Sequence, residues 1–372
     1  MFTRCVTRCI HASFGVIRKK QFKKMKLIRG ILILLICCSC QPNKKGGEIK
    51  YDKLNTKIDR LISNTDFNGV IAIAKDTSLI YSKAIGFSDF ENKKNLKLND
   101  QFVIGSISKQ ITAVLILREY EKGTIRLEDK IAQYLKEIEQ AWAKDISVHH
   151  LLMHTHGIIE LNQPLEFEPG TQFKYSQLGY ELLAQILQSI TNQSFHEISE
   201  ELFVLYGLNN SFHPKSKDYK NLVKGYTEEG SGNLMFSSNS LYNYAAAGSF
   251  ISNAEDLVKW NYLLHSKQLL KKETLELMKT RYATRNHPIF ETIEYGYGLL
   301  FKEGENNVQI GALGYAPGFV SASYYYPESK LNLIVLENAA RNLNDFKETF
   351  KVHLKLMSEI KKTNVQQYLK RQ

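Results

Sequence analysis

The chain has 372 residues, enough for one large domain or two intimate ones, with ordinary globular proportions of 43% hydrophobic and 23% charged residues. Its formal net charge of +11 suggests an anionic partner, but nine Lys and Arg and no acid fall in residues 1–40, leaving 40 basic against 38 acidic side chains, a net of +2, in the rest. That remainder has no basic stripe, so nothing in it argues for a nucleic-acid partner. All five cysteines (Cys5, Cys9, Cys37, Cys38, Cys40) also lie in the first 40 residues, which excludes a disulfide within the body.

From Met25 the chain reads MKLIRGILILLICCSCQPNKK. Lys26 and Arg29 form a short positive region, Ile31 to Ile36 begin an apolar one, and small residues and cysteine close it, the order of a secretory signal. The run is too short for a membrane-spanning helix, which needs ~20 apolar residues. The Ser39-Cys40 end resembles a bacterial lipobox with Cys40 as the lipidated residue and Cys38 as a second candidate. Met25 reads as the true start, with a long positive region over 1–24 as the alternative. Residues 41–50 read as a polar tether.

In the body, apolar residues at Leu54, Ile58, Leu61 and Ile62 predict an amphipathic helix over 52–63. Runs at 69–75 and 78–86, separated by Asp76-Thr77, predict a hairpin. A helix starting at Ser106 follows, burying Ile107, Ile111, Val114 and Leu115, with Gly123 as its C-cap. The middle is mostly helical by pattern, with helices over 180–190 and over 254–264, the latter burying Leu257, Trp260 and Leu264. Strand-like runs return at 297–302, 308–313, 319–326 and 331–336. A helix over 344–360, with Phe346, Phe350, Leu354 and Met357 on one side, ends the domain. Strands at both ends with helices between predict an α+β fold, an α/β sandwich. Its antiparallel sheet joins N- and C-terminal strands (51–105 and 290–360), flanking helices cover it, and 106–289 form an inserted, mostly helical region of the same domain. Residues 361–372 read as a polar tail.

Ser106 and Lys109 stand three apart at the head of the 106–123 helix, on one face. A serine hydroxyl needs a nearby base to become a nucleophile, and an amine one turn away is a candidate. Alone the pair is a weak signal. Ser358 and Lys361 repeat the spacing in the C-terminal helix and read as surface residues, and Ser106 alone reads as an N-cap hydroxyl. Two further constellations supply partners. FEPGTQFKYSQLGYELLAQI at 167–186 places a Pro169-Gly170 turn before Tyr175-Ser176-Gln177 and a helix. QIGALGYAPGFVS at 309–321 is a strand with a Gly-rich turn.

In this order, SISK at 106–109, YSQ at 175–177 and ALG at 312–314 resemble the three active-site motifs of the serine β-lactamase-like family, which includes class C β-lactamases, DD-carboxypeptidases and related esterases. The resemblance covers about residues 67–338, and connecting segments such as IRLEDKIAQYL at 125–135 and ISVHHLLMHTHGI at 146–158 share it. It implies the β-lactamase/transpeptidase-like fold, Ser106 as acylated nucleophile, and Lys109 and Tyr175 sharing the proton relay. The backbone N–H groups of Ser106 and Tyr315 would form the oxyanion hole, and Gln177, Ala312, Leu313 and Gly314 the substrate-binding wall. No metal or cofactor is implied. Two positions depart from the pattern. Ala312 stands where Lys or His is usual, and loss of that charge-assisted hydrogen bond to a substrate carboxylate costs ~1.5–3 kcal/mol. Gln177 stands where Asn is usual. Both changes argue against an efficient β-lactamase and leave an esterase or amidase open.

His149, His150, His154 and His156 cluster, but their spacing fits no common zinc pattern and predicts a structural turn. Gly311, Gly314 and Gly318 do not open a helix, so no phosphate loop is expected, and Tyr324 to Tyr326 read as strand packing. The expectation is therefore an exported, lipid-anchored serine hydrolase at the bacterial cell envelope. Its substrate would be a small ester, an amide or a peptidoglycan peptide, and its oligomeric state is left open. The rival is a weakly active or inactive binding or sensing module with the same pocket.

Overall fold

The computed structural model describes residues 51–230, 232–240, 242–302 and 309–369, with side chains described to residue 363. The signal segment, Cys40 and the tether therefore lie outside the described residues. Among those described, no helix is long and apolar enough to cross a membrane.

Helix α1 (Asp52–Ser63) buries Leu54, Ile58 and Ile62. Strands β1 (Gly69–Lys75) and β2 (Ser78–Ile85) form the predicted hairpin. Helix α2 runs from Ser108 to Lys122, and Gly123 caps it in the left-handed conformation at φ 76°. Helix α3 (Gln177–Thr191) follows the Tyr175 segment, and helix α4 (Ala254–His265) starts from the Asn253 cap. Strands β3 (Ala283–His287), β4 (Glu291–Tyr295), β5 (Leu300–Lys302), β6 (Ile310–Ala316), β7 (Phe319–Tyr326) and β8 (Leu331–Glu337) complete the sheet. Helix α5 (Lys351–Leu369) closes the chain.

The eight strands are ordered β2-β1-β8-β7-β6-β5-β4-β3. Every neighbouring pair is antiparallel, so the N-terminal hairpin adds directly to the C-terminal meander through β1 against β8, with Ile71 opposite Val335. Strand β1 reads GVIAIAK because both of its faces are covered. Val70, Ala72 and Ala74 join the central core with Ile334 and Leu336, and α4 packs on β1, β7 and β8. Ile71 and Ile73 point to the opposite face by alternation, where α5 packs on β7 and β8. A 2.6 Å Lys57–Glu359 ion pair ties α1 to α5.

Several expectations need correction. Ser106 does not begin an α-helix: Gly105–Ile107 form a single 3-10 turn and α2 starts at Ser108. Helix α2 has no exposed flank over its first ten residues, because the Ala245–Ser249 turn, α3 and the Lys272–Lys279 helix pack around it within one continuous core. Strand β5 starts at Leu300 rather than at 297, since Gly298 takes φ 69° and makes a turn. The expected 344–360 helix is a short helix, Phe346–Thr349, capped by Asp345, and then α5 beyond Phe350. Helix α5 continues to Leu369 through the stretch read as a polar tail. The helical region also contributes strands: Gly225–Glu229 and Asn233–Ser237 form a side hairpin, and β3 lies within 106–289 yet joins the main sheet as its edge.

Candidate active site

Ser106 sits at the seam between sheet and helical region. Gly105 enters it at φ 55°, and a Cβ there would come within 2.5 Å of the Tyr315 nitrogen. A side chain is excluded twice, by backbone conformation and by space. The same crowding places the Ser106 turn directly against the Gly314–Tyr315 peptide of β6. A Cβ on Gly314 would meet the Ile104 carbonyl oxygen at 2.2 Å and Ser321 Oγ at 2.3 Å. Ser321 Oγ already donates to that carbonyl at 2.8 Å, so the seam is fixed from both sides.

One turn along, Lys109 is 1% exposed. Its ammonium donates to Ala247 O at 2.6 Å and to Ser106 Oγ at 3.4 Å. It also lies over the Tyr175 ring, 4.6 Å from the centroid, and the Tyr180 ring, 5.5 Å away. The Tyr175 hydroxyl donates to Ser106 Oγ at 2.7 Å. Ser106, Lys109 and Tyr175, 69 residues apart at the extremes, thus converge on one oxygen.

Ala247 belongs to a single π-helical turn, Ala245–Ser249. Its carbonyl takes the Lys109 ammonium, and its N–H donates to Glu181 on α3 at 3.2 Å. Burial pushes the Glu181 carboxyl up to about 7, against that hydrogen bond and the Lys109 charge. Neither Glu181 nor Ala247 stands in a motif that a sequence reading could isolate.

The histidine cluster frames this centre. His154 takes φ 57°, accepts from the Ser176 N–H through Nδ1 at 3.1 Å, and so presents Nε2–H to the Tyr295 hydroxyl at 3.1 Å. Burial, then the Lys109 charge, holds it well below the usual imidazole range, so it stays neutral. His150 completes a capping box with Ser147, His149 meets Tyr297 at 2.7 Å, and His156 accepts from the Ile158 N–H at 3.0 Å. Among the described residues no group of His, Cys, Asp or Glu is arranged to hold a metal.

Ser106 and Tyr175 open into a cleft of about 280 Å³. Gln177, Ala312, Leu313 and Tyr315 line it. Gly314 and Lys109 are not among the residues that line it. Gln177 is exposed at the first position of α3. The sequence reading missed the far wall, where Arg285 and His287 come from β3, Ile289 from the β3–β4 turn, and Phe346 and Phe350 from the start of the C-terminal helices. The Arg285 guanidinium lies over Phe173 at 5.2 Å and over Tyr175 at 4.9 Å. Burial lowers its pKa from the usual value, and the phenols of Tyr295 and Tyr175 oppose that shift. Burial holds His287 down at about 4, so it is neutral at neutral pH. Ser358, the serine of the decoy pair, is exposed on α5.

Comparisons with known proteins agree with this fold. The family model described as Beta-lactamase matches residues 54–356. Penicillin-binding protein 4* of Bacillus subtilis (strain 168) is 25% identical over 332 residues, covering 78% of this chain and 72% of its own. Teichoic acid D-alanine hydrolase of Staphylococcus aureus (strain MRSA252) is 24% identical over 280 residues, covering 69% and 68%. The crystal structure of D-amino acid amidase from Ochrobactrum anthropi SV3 superposes with a TM-score of 0.72 at 20% identity, over 85% of this chain and 99% of that one. The match spans both halves of the sheet and the helical region that supplies Ser106, Lys109 and Tyr175, so the chain belongs to the Beta-lactamase family, the serine hydrolases built on this fold.

Proposed function

We propose that the chain is an exported serine hydrolase that forms an acyl-enzyme on Ser106 and acts on small esters, amides or D-alanyl compounds. The observation that carries this reading is the convergence of the Tyr175 hydroxyl, at 2.7 Å, and the Lys109 ammonium, at 3.4 Å, on Ser106 Oγ. Ser106 Oγ attacks the substrate carbonyl while its proton passes into the Lys109–Tyr175 pair. The new oxyanion takes hydrogen bonds from the Ser106 and Tyr315 N–H groups. Collapse expels the leaving group, which receives the proton back through Tyr175. Water then enters along the same path, adds to the acyl ester and releases the acid. Every step uses protein groups and water alone.

The D-alanyl reading is supported by the activities for which two relatives are named, D-alanine hydrolysis and D-amino acid amide hydrolysis. An active hydrolase is favoured over a binding module because the catalytic contacts are formed despite Ala312 and Gln177. A fluorophosphonate probe is expected to label the wild type and not Ser106→Ala, and equal labelling of both would overturn the reading. For export, the signal-like stretch from Met25 to Cys40 supports a lipid anchor on Cys40. Metabolic labelling with a tagged palmitate should mark the full chain and disappear in Cys40→Ser.

A further inference from the structure

The cleft lacks the cation that its third motif usually carries, since Ala312 occupies that place. Another cation stands in the same cleft, brought from the opposite direction by the edge strand β3. Arg285 lines the wall beside Ser106 and Tyr175. Among the described residues no carboxylate lies within ion-pairing distance of it, and its buried Nε–H has no hydrogen-bond partner. None of the described residues lining the cleft is acidic. A half-buried guanidinium that lies over the Phe173 and Tyr175 rings but lacks an anion is an incomplete site. Its fork is suited to a bidentate oxyanion, the geometry that favours Arg over Lys in such places.

The position also says which end of a substrate it meets. Tyr175 is the group that hands a proton to the leaving atom in the proposed reaction, and Arg285 lies over the Tyr175 ring, 4.9 Å from its centroid. Leu313, Ile289 and Phe350 offer only apolar surface elsewhere in the cleft. We infer that Arg285 anchors an anionic group, a carboxylate or a phosphate, carried on the leaving-group side of the substrate, in place of the cation missing at Ala312. The inference rests on the hydrolase reading above. It narrows the substrates to esters or amides whose alcohol or amine part is negatively charged.

The experiment compares three esters with one acyl group, D-alanyl, and different leaving groups: 3-hydroxybenzoate, its neutral isostere 3-hydroxybenzamide, and glycerol phosphate. The wild type is expected to favour the benzoate ester over the benzamide ester about 10- to 100-fold in kcat/KM, the range of one charge-assisted hydrogen bond. That ratio should fall to about two or less in Arg285→Ala and stay intermediate in Arg285→Lys, which keeps the charge without the fork. The glycerol phosphate ester separates the two sources of anion, since a larger preference for it than for benzoate assigns the site to phosphate. A wild-type ratio near one, or a ratio that survives Arg285→Ala, would overturn the anchor. Binding of the benzoate and benzamide esters to Ser106→Ala, with and without Arg285→Ala, gives the same comparison without turnover. Absence of wild-type hydrolysis with selective, Arg285-dependent binding would reject the hydrolase reading and keep the anchor, whereas equal binding of both esters would reject the anchor.

Discussion

Glu181 and Lys109 hold opposite ends of one residue: Ala247 donates its N–H to the Glu181 carboxylate at 3.2 Å and offers its carbonyl to the Lys109 ammonium at 2.6 Å. Lys109 is therefore positioned by a backbone turn that is itself pinned from α3. Glu181→Ala removes the pin and leaves a buried N–H unpaired, a loss of ~1–3 kcal/mol. A small displacement of a reacting group is expensive in rate, so kcat is expected to fall about 10- to 100-fold with KM little changed. Glu181→Gln keeps an acceptor oxygen and should retain most of kcat. Steady-state kinetics on one ester, run for both variants, checks the contrast.

The Lys109 ammonium and the Tyr175 hydroxyl both donate to the same Ser106 oxygen, so under the proposed mechanism their removal should not be additive. Tyr175→Phe and Lys109→Ala are each expected to lower kcat by about 10²- to 10⁴-fold, the range of a lost acid–base group. The double variant should be no worse than the worse single one. Additive losses, measured as acylation rates in single turnover, would mean that the two side chains serve separate steps.

Ala312 is buried at 4% exposure and lines the cleft between Leu313 and the β5 side. Ala312→His restores a donor at that wall. Acylation by carboxylate-bearing β-lactams is expected to improve by about tenfold, the value of one polar contact. Stopped-flow acylation with a chromogenic β-lactam reads this directly. An unchanged rate would mean that other groups on the wall already hold the carboxylate.

The pH dependence of stability should centre on Glu337, at the end of β8. Its carboxyl is buried and is pushed up to about 8 by burial, against a backbone hydrogen bond from Asn68 and the Arg341 charge. Between the unfolded value of 4.5 and the folded value of about 8, the native state holds a proton that the unfolded chain has released. Stability therefore falls as pH rises through that window. Its neighbour His353, 3.9 Å away, is held down at about 4 by burial, so it lowers stability as pH falls from 6.5 toward 4. Glu337→Gln is expected to remove the alkaline loss only. Its advantage over the wild type should be absent near pH 4, grow toward pH 8, and reach at most about 4–5 kcal/mol. Denaturant midpoints at pH 5, 7 and 9 would show whether the gap widens.

What the sequence made legible was whatever is written in local pattern. The β1–β2 hairpin, the start of α4 at Ala254 and the Gly123 stop are set by neighbours within a few residues, and the structure has them where expected. Ser106 and Tyr175 were legible because the motif order carries information that no single motif has. Strand β3 was not, because ATRNH is polar, short and lies on an edge, where one side of the ladder has no partner to demand β-branched residues. Arg285 was lost with it. Glu181 looks like any acid on an amphipathic helix, and its role exists only because the chain returns to α3 some 66 residues later at Ala247. The depth of Lys109 was likewise invisible, since the periodicity of α2 suggested one buried face and tertiary packing covered nearly all of it.

The hairpin of β3 and β4 has a consequence for how such an enzyme changes its diet. Ser106, Lys109 and the Tyr315 amide sit in the middle of the molecule, where crowding at Gly105 and Gly314 forbids even a methyl group. Arg285, His287 and Ile289 sit on a peripheral loop-back of 13 residues (283–295) that joins the sheet only through β5. Selection can therefore edit the outer strand and its turn, exchanging the charge and bulk that greet an incoming molecule, while the chemistry behind them is inherited unaltered. Tyr295 sets the inner limit of that freedom, because its hydroxyl meets His154.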